Sequence, residues 1–284
     1  MSEKWKKRKQ KFFNFIATST ITLLSLLTIS PLILIIGYIS YKGFNSFSID
    51  LITKNPVPMG EVGGGILNGI VGSAIIILIA SMVGVPLGIL CGLYLVESKK
   101  GKLRHIIRLF VEILQGIPSI VIGIIGYIII VMPMQRFSAL AGGLTLAIIM
   151  IPIIVITTEE VLRLIPVELR EAGIALGMSQ WRVTLFIVLR TGIGGLTSGI
   201  LLSLSRIAGE TAPLLFTVLG SQFFSIKIDQ PIAALPLQIF NYSVSPYPEW
   251  HSLGFAASFL LVILILFINI IIKAVIQRTS YYHK

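Results

Sequence analysis

Cysteine, histidine and acidic residues are all scarce: one cysteine, three histidines and twelve Asp plus Glu occur in 284 positions. A single cysteine, Cys91, excludes an intrachain disulfide and a cysteine-based zinc site within one chain. It reads as a packing residue. His105, His251 and His283 are too scattered for a histidine metal cluster. No Ser-His-Asp set and no paired carboxylates fall within the apolar stretches, which argues against hydrolytic chemistry on a lipid. The run Gly63-Gly64-Gly65 lacks the preceding strand and the helix-opening Lys-Ser/Thr of a phosphate loop. It is expected to be a flexible connection into the apolar run that follows. Charge is scarce too: Asp, Glu, Lys and Arg make up 12% of the chain, against roughly a quarter in a soluble domain.

What the chain has is hydrocarbon. Hydrophobic residues account for 55% and the mean hydropathy is +0.93. Several apolar runs reach the ~20 residues that a helix needs to cross the bilayer core. Ala74 to Ala80 is continuously apolar, as is Leu260 to Ile272 apart from Asn269, so the alternation of a membrane barrel is missing. The expected fold is all-α and integral to the membrane, with six transmembrane helices at about 16–41, 66–96, 107–133, 139–158, 188–218 and 253–276. The first run follows basic residues as a secretory signal does, yet it is too long and lacks a small-x-small cleavage pattern, so it is expected to remain as an anchor. The chain then divides into a basic N-terminal segment (1–15), a first helix with its external loop (16–65), a transmembrane domain (66–276) containing a polar loop at 159–187, and a short tail (277–284).

The net charge of +11 would suit nucleic acid, but the placement of the charges argues otherwise. Six crossings put both termini on one side. That side receives eighteen Lys and Arg, including Lys4 to Lys11, the 99–108 loop, Arg163, Arg170, Arg182 and Arg190. The other side receives four: Lys42, Lys54, Arg136 and Lys227. The positive-inside rule therefore places both termini in the cytoplasm of a multi-pass protein of the cytoplasmic membrane. The basic excess matches anionic lipid headgroups, and no nucleic-acid partner is expected.

The cytoplasmic 159–187 segment alternates charged and apolar residues. Pro166 opens a short helix, acids occupy its first turns and Gly177 is placed to end it, with Ser179 available to cap the next. Leu169, Ala172 and Leu176 form a small apolar face beside Glu168, Arg170 and Glu171. So short a helix needs support; its periodicity fits docking into a partner and lying on the membrane surface equally well. The run Glu171-Ala172-Gly173, then Gly177, Ile187 and Leu189, resembles the cytoplasmic EAA loop of type I ATP-binding-cassette importer permeases. Gly173 stands where the pattern has Ala, and Arg190 where it has Pro. The resemblance implies a coupling helix seated on an ATPase subunit, with Glu168, Leu169, Glu171, Ala172, Gly173, Leu176 and Gly177 as the coupling residues within a loop at about 165–190. It also implies the six-helix, MetI-like architecture.

A second run, Arg206-Ile207-Ala208-Gly209-Glu210-Thr211-Ala212-Pro213, resembles the Arg-x-x-Gly-Glu-Thr-Ala-Pro signature of phosphate-specific importer permeases, and within that family the PstA-type subunits. Arg206 and Glu210 lie in an apolar run, where a lone charge costs several kcal/mol. Their i, i+4 spacing lets each offset the other. Projected as one helix, Ser203, Arg206, Glu210 and Thr217 share an arc of about 60°, continued by Gly195 and Gly199. Such a stripe fits a wet path and also fits a structural ion pair. A guanidinium matches phosphate oxygens and stays protonated. The substrate-pathway candidates are Arg206, Glu210, Ser203, Thr211 and Thr217. Glu112 and Gln115 read as interfacial, Glu159 and Glu160 as solvated. The resemblance implies a second, PstC-type permease, a PstB-type ATPase dimer that holds the ATP and Mg, and a PstS-type extracytoplasmic phosphate-binding protein, with no cofactor on this chain. The same architecture serves other oxyanions such as sulfate or molybdate; an intramembrane lipid-acting enzyme and a membrane scaffold or receptor are more distant readings.

Overall fold

The computed structural model describes residues 2–58, 61, 63–98 and 101–281, and among them there is no strand. The helices in chain order are α1 (Ser2–Asn45), α2 (Ile49–Thr53), α3 (Leu67–Glu97), α4 (Lys102–Gly116), α5 (Ser119–Met134), α6 (Ala139–Arg163), α7 (Val167–Ala175), α8 (Gln180–Ala208), α9 (Ala212–Thr217), α10 (Leu235–Ser243) and α11 (Pro248–Tyr281). Five are long and apolar enough to cross a membrane: α1 from Lys9, α3, α6, α8, and α11 as far as Ala274. A sixth crossing exists if α4 and α5 together make one broken span. The all-α membrane fold expected from the composition is the one observed.

Two expected spans are built differently. The third, at 107–133, is not one helix: α4 and α5 meet at a bend of 110°. Proline disfavours the α region in the residue before it, and Ile117, preceding Pro118, is extended at φ −76° and ψ 129°. α4 keeps Val111 buried and exposes Leu103, Ile106, Phe110 and Ile113 on its other side. The fifth span, at 188–218, begins earlier and ends earlier: its helix opens at Gln180 and stops at Ala208, and a separate short α9 follows. At the ends of the chain, residues 2–15 of the basic 1–15 segment continue into the first span as one helix, and residue 1 and residues 282–284 of the 277–284 tail lie outside the described residues. The glycine run is not a loose connection. Gly65 donates to the Asn55 carbonyl, and Gly64, at φ +82°, packs against Val57.

α6 is the central helix, buried on nearly every side, and glycines let its neighbours approach. Along α3, Gly84 faces Met150, Gly88 faces Ile154 and Gly92 faces Thr158; a Cβ on Gly88 would stand 2.7 Å from Ile154 Cβ. On the other side, Gly192, Gly195 and Gly199 of α8 face Leu162, Val161 and Thr157 of α6. Lipid tails are as apolar as leucine, so helices in a bilayer associate through this kind of close packing of small residues. α1 stands outside the core against α11, through edge-to-face contacts of Tyr38 with Phe255 at 5.6 Å and Phe44 with Phe259 at 6.4 Å.

One end of the bundle gathers the charged residues of α3, α4, α6 and α7. The opposite end is closed by α10 and the 218–234 segment. There Gln238 Nε2 donates to Asn68 Oδ1 at 2.9 Å, and Asn68 Nδ2 donates to the Ser221 and Gln222 carbonyls at 3.1 Å. Tyr242 packs on Trp250 in the same layer, and burial pushes its phenol up to about 12.

Candidate functional site

The Arg-x-x-Gly-Glu-Thr-Ala-Pro run occupies the break between α8 and α9. Gly209 ends α8, donating to the Arg206 carbonyl at 3.3 Å; Glu210 is non-helical and donates its N–H to Ile207 O at 3.2 Å. Pro213 sits in the first turn of α9, where a missing N–H costs nothing. The expected ion pair forms across this break, with Arg206 Nε 3.7 Å from Glu210 Oε1. The Glu210 side chain is 16% exposed and that of Arg206 is 48% exposed. Next to Arg206, the Ser205 hydroxyl accepts a hydrogen bond from Asn269 of α11 at 2.9 Å, so the break stands against the apolar span of α11. A half-open guanidinium beside an apolar span has no partner in hydrocarbon, so the face it occupies must meet protein or water.

The single polar stripe drawn from helical projection divides in two. Gly195, Gly199 and Ser203 belong to the packing face on α6, and Ser203 is fully buried, its hydroxyl donating to Ile200 O at 2.7 Å. Thr217 is also fully buried, on α9, and donates to Pro213 O at 2.8 Å. Arg206 points out with Ser198 and Leu202 on the adjacent face, and Thr211 is partly exposed beside Glu210. The end of α8 at Ala208 breaks the register for Glu210 and Thr217, while within α8 the division follows from packing, Ser203 lying on the covered side and Arg206 at its open edge. A largely apolar groove of about 420 Å³ between α3, α8 and α11, lined by Ile77, Met82, Leu261 and Ile265 with Ser205 and Asn269, has no charged group on its wall.

The 159–187 loop folds as its sequence foretells. α7 runs Val167–Ala175 behind Pro166, and Gly177 has φ +81°. Gly177 N–H donates to Ile174 O and Met178 N–H to Gly173 O, so a Schellman motif satisfies the last carbonyls. Ser179 stands at the N-cap of α8, although its hydroxyl makes no capping bond. Glu168, Leu169, Glu171, Ala172, Leu176 and Gly177 are exposed, Leu176 to 84%. Gly173 alone is buried. A Cβ there would lie 2.7 Å from Ile187 Cδ1 and 2.9 Å from Val183 Cγ2, so the glycine that weakens helix propensity also lets α7 seat tightly on α8.

Two acidic centres were not legible in the sequence as sites. Glu159, expected to be solvated, is buried and accepts hydrogen bonds from Arg163 Nη2 and from Arg108 Nη1, with Arg104 Nη2 at 3.8 Å. Glu97, at the end of α3, accepts from Arg170 Nη1 of α7 and, at 3.2 and 3.4 Å, from Thr184 Oγ1 and Gln180 Nε2 of α8. The only sequence signal for either was an acid next to a helix end among basic residues. Among the described residues no group of His, Cys, Asp and Glu could hold a metal ion.

Comparison with known proteins meets this geometry. A permease from Yersinia pestis, "Phosphate transport system permease protein PstA", is 42% identical over 241 residues, 84% of this chain and 82% of its own. A "Probable phosphate transport system permease protein PstA" from Methanocaldococcus jannaschii is 34% identical over 265 residues, 93% of this chain and 92% of its own. Among solved structures, an inward-facing MetNI methionine ABC transporter chain superposes with a TM-score of 0.60 at 20% identity, covering 75% of this chain and 94% of that one. The family described as "Binding-protein-dependent transport system inner membrane component" matches residues 84–281, and with 70% of its length inside that match the chain belongs to this family of membrane transport permeases.

Proposed function

We propose that this chain is the permease subunit of an ATP-driven importer that carries inorganic phosphate across the cytoplasmic membrane. The observation that carries the reading is the half-open Arg206 guanidinium, held by Glu210 at 3.7 Å where α8 breaks. Arg206, Glu210 and Thr211 line the path on this side, while Ser203 and Thr217 hold the broken segment from behind. The guanidinium offers paired donors to a phosphate oxyanion. Glu210 orients it and weakens its hold on the anion, because conduction requires a site that releases what it binds. The naming of the relatives after phosphate transport supports the choice of anion.

Transport in this reading needs a second, PstC-type permease to complete the path, a PstS-type binding protein to deliver phosphate and a PstB-type ATPase dimer that holds ATP and Mg. The charged end of the bundle, with both termini, faces the cytoplasm. The ATPase contacts α7 through Glu168, Leu169, Glu171, Ala172 and Leu176, while Gly173 and Gly177 set the helix's seat and its end. Differential affinity of the partners for two states of the permease pair then alternates access to the path. The test is labelled phosphate uptake into vesicles containing the full set of partners, for wild type, Arg206→Gln, Glu210→Gln and the double variant, with sulfate as competitor. Loss of uptake in the single variants with insertion intact is expected. Unimpaired uptake in all three removes the pair from the mechanism, and sulfate competing as well as unlabelled phosphate reassigns the anion.

A further inference from the structure

The reaction of a coupled permease needs a mechanical link from the helix that meets the ATPase to the helices that enclose the path, and the structure contains a specific one. We propose that Glu97 is the positioning residue that transmits motion of α7 to α3. The inference rests on the permease reading above and adds a residue outside both sequence motifs.

Three observations converge. Arg170, the inward-facing side chain of α7, donates to Glu97 Oε1, and the pair is only partly open, with side-chain exposures of 20% and 26%. Gln180 and Thr184, in the first turns of α8, donate to the same carboxylate. One acid at the last turn of α3 therefore gathers donors from the coupling helix and from the helix that carries Arg206. Second, α7 cannot slide freely on α8, since Gly173 seats against Val183 and Ile187 too closely for a side chain. Displacing α7 displaces the start of α8 with it, and the Arg170, Gln180 and Thr184 side chains of this unit meet α3 at Glu97. Third, Thr184 opens a π-helical turn, Thr184–Val188. Such turns interrupt the regular ladder and recur at functional positions, so the start of α8 can shift while the segment beyond it stays packed on α6. α3 in turn meets α6 glycine to side chain along Gly84, Gly88 and Gly92, which passes a displacement of its end into the core as a rigid shift.

A carboxylate with three donors transmits force through geometry and charge together, and the amide of glutamine keeps the shape without the charge. The complete importer, with its second permease, ATPase dimer and binding protein, is reconstituted in vesicles, and phosphate uptake and ATP hydrolysis are followed in parallel. Glu97→Gln is expected to keep the ATPase subunit bound and its hydrolysis within about twofold of wild type while uptake falls about tenfold, so that ATP consumed per phosphate rises by about that factor, within the span of ordinary allosteric couplings. The exchange Glu97→Arg with Arg170→Glu is expected to recover most of the loss seen in either single reversal. Should Glu97→Gln fail to insert, Arg170→Gln and Thr184→Val, each removing one donor, decide the matter by the same ratio.

An unchanged ATP-to-phosphate ratio in these variants overturns the proposal. So does release of the ATPase subunit, which would make Glu97 a docking element, or an equal fall in hydrolysis and uptake that the charge exchange does not relieve. A wild-type complex that imports a different anion displaces the phosphate reading alone, and the ratio measured for that anion still decides the role of Glu97.

Discussion

Arg108 Nη1 stands 3.2 Å from Glu159 Oε1 across 51 positions of sequence, so the amphipathic α4 is tied to the last turns of α6 by a buried carboxylate. The same oxygen accepts from Arg163 and lies near Arg104. Three guanidinium groups around one acid repel one another; Arg108 also pairs with Glu112 and Arg104 donates to the Ser98 carbonyl, and Glu159 is the acceptor all three approach.

Glu159→Ala should therefore do more than delete a contact. It removes the shared acceptor and leaves the cations crowded, although Arg108 and Arg163 are about half open to solvent, which moderates the penalty. A loss of about 1–3 kcal/mol is expected, read as a lowered midpoint of thermal unfolding for the purified protein in detergent. An unchanged midpoint would mean that the cluster is held by α4 packing alone.

Gly199 of α8 meets Thr157 of α6, and a Cβ would lie 2.7 Å from Thr157 Cβ, a stiff β-branched atom close to the backbone. Gly199→Val should force α8 away from α6 and destabilise the fold by about 1–3 kcal/mol or more. Gly194 has nothing near its missing Cβ, so Gly194→Ala is expected to be neutral or slightly stabilising through helix propensity. The contrast between the two, measured as thermal midpoints, tests the α6–α8 interface.

The exposed face of α7 should matter to a partner and not to the fold. Leu176→Asp places a charge on a residue that is 84% exposed, so membrane insertion and thermal midpoint should hold while co-purification of the ATPase falls about tenfold or more. Retention of the ATPase at wild-type level would move the contact elsewhere on the loop.

Arg206→Lys keeps the charge at the α8 break but exchanges a planar fork for a point donor. Where paired donation to an oxyanion matters, this change is not conservative. Uptake should fall between that of wild type and that of Arg206→Gln. Equality with wild type would reduce the role of residue 206 to charge alone.

In a Cys91→Ser background, Glu171→Cys should react with a membrane-impermeant thiol reagent in inverted vesicles and not in intact cells, and Lys227→Cys should do the reverse. This follows from the charge asymmetry of eighteen against four. Labelling of residue 171 from outside would invert the topology and with it the coupling role of α7.

Most of the architecture is legible along the chain because each of its signals is local. Hydrocarbon length marks α1, α3, α6 and α11; the Pro166, Gly173 and Gly177 pattern places α7 with its cap; the spacing of Arg206 and Glu210 brings the two within reach whether the backbone between them is helical or, as observed, broken at Gly209. What could not be read is where an apolar run bends. Residues 107–133 are apolar enough for one span, yet Pro118 turns them by 110°, and composition does not distinguish a kink from a corner.

The sequence by itself determined that this protein lives in a bilayer, where the short helix α7 begins and ends and which cation sits among apolar residues, because transfer energies and helix capping depend on a residue and its near neighbours. Only the tertiary structure decided which face each side chain takes: that Ser203 and Thr217 are buried while Arg206 opens outward, that Glu159 is enclosed by arginines, and that Glu97 joins α3 to α7 across 73 positions. Those assignments depend on how the helices pack, and packing is set by contacts between residues far apart in the chain.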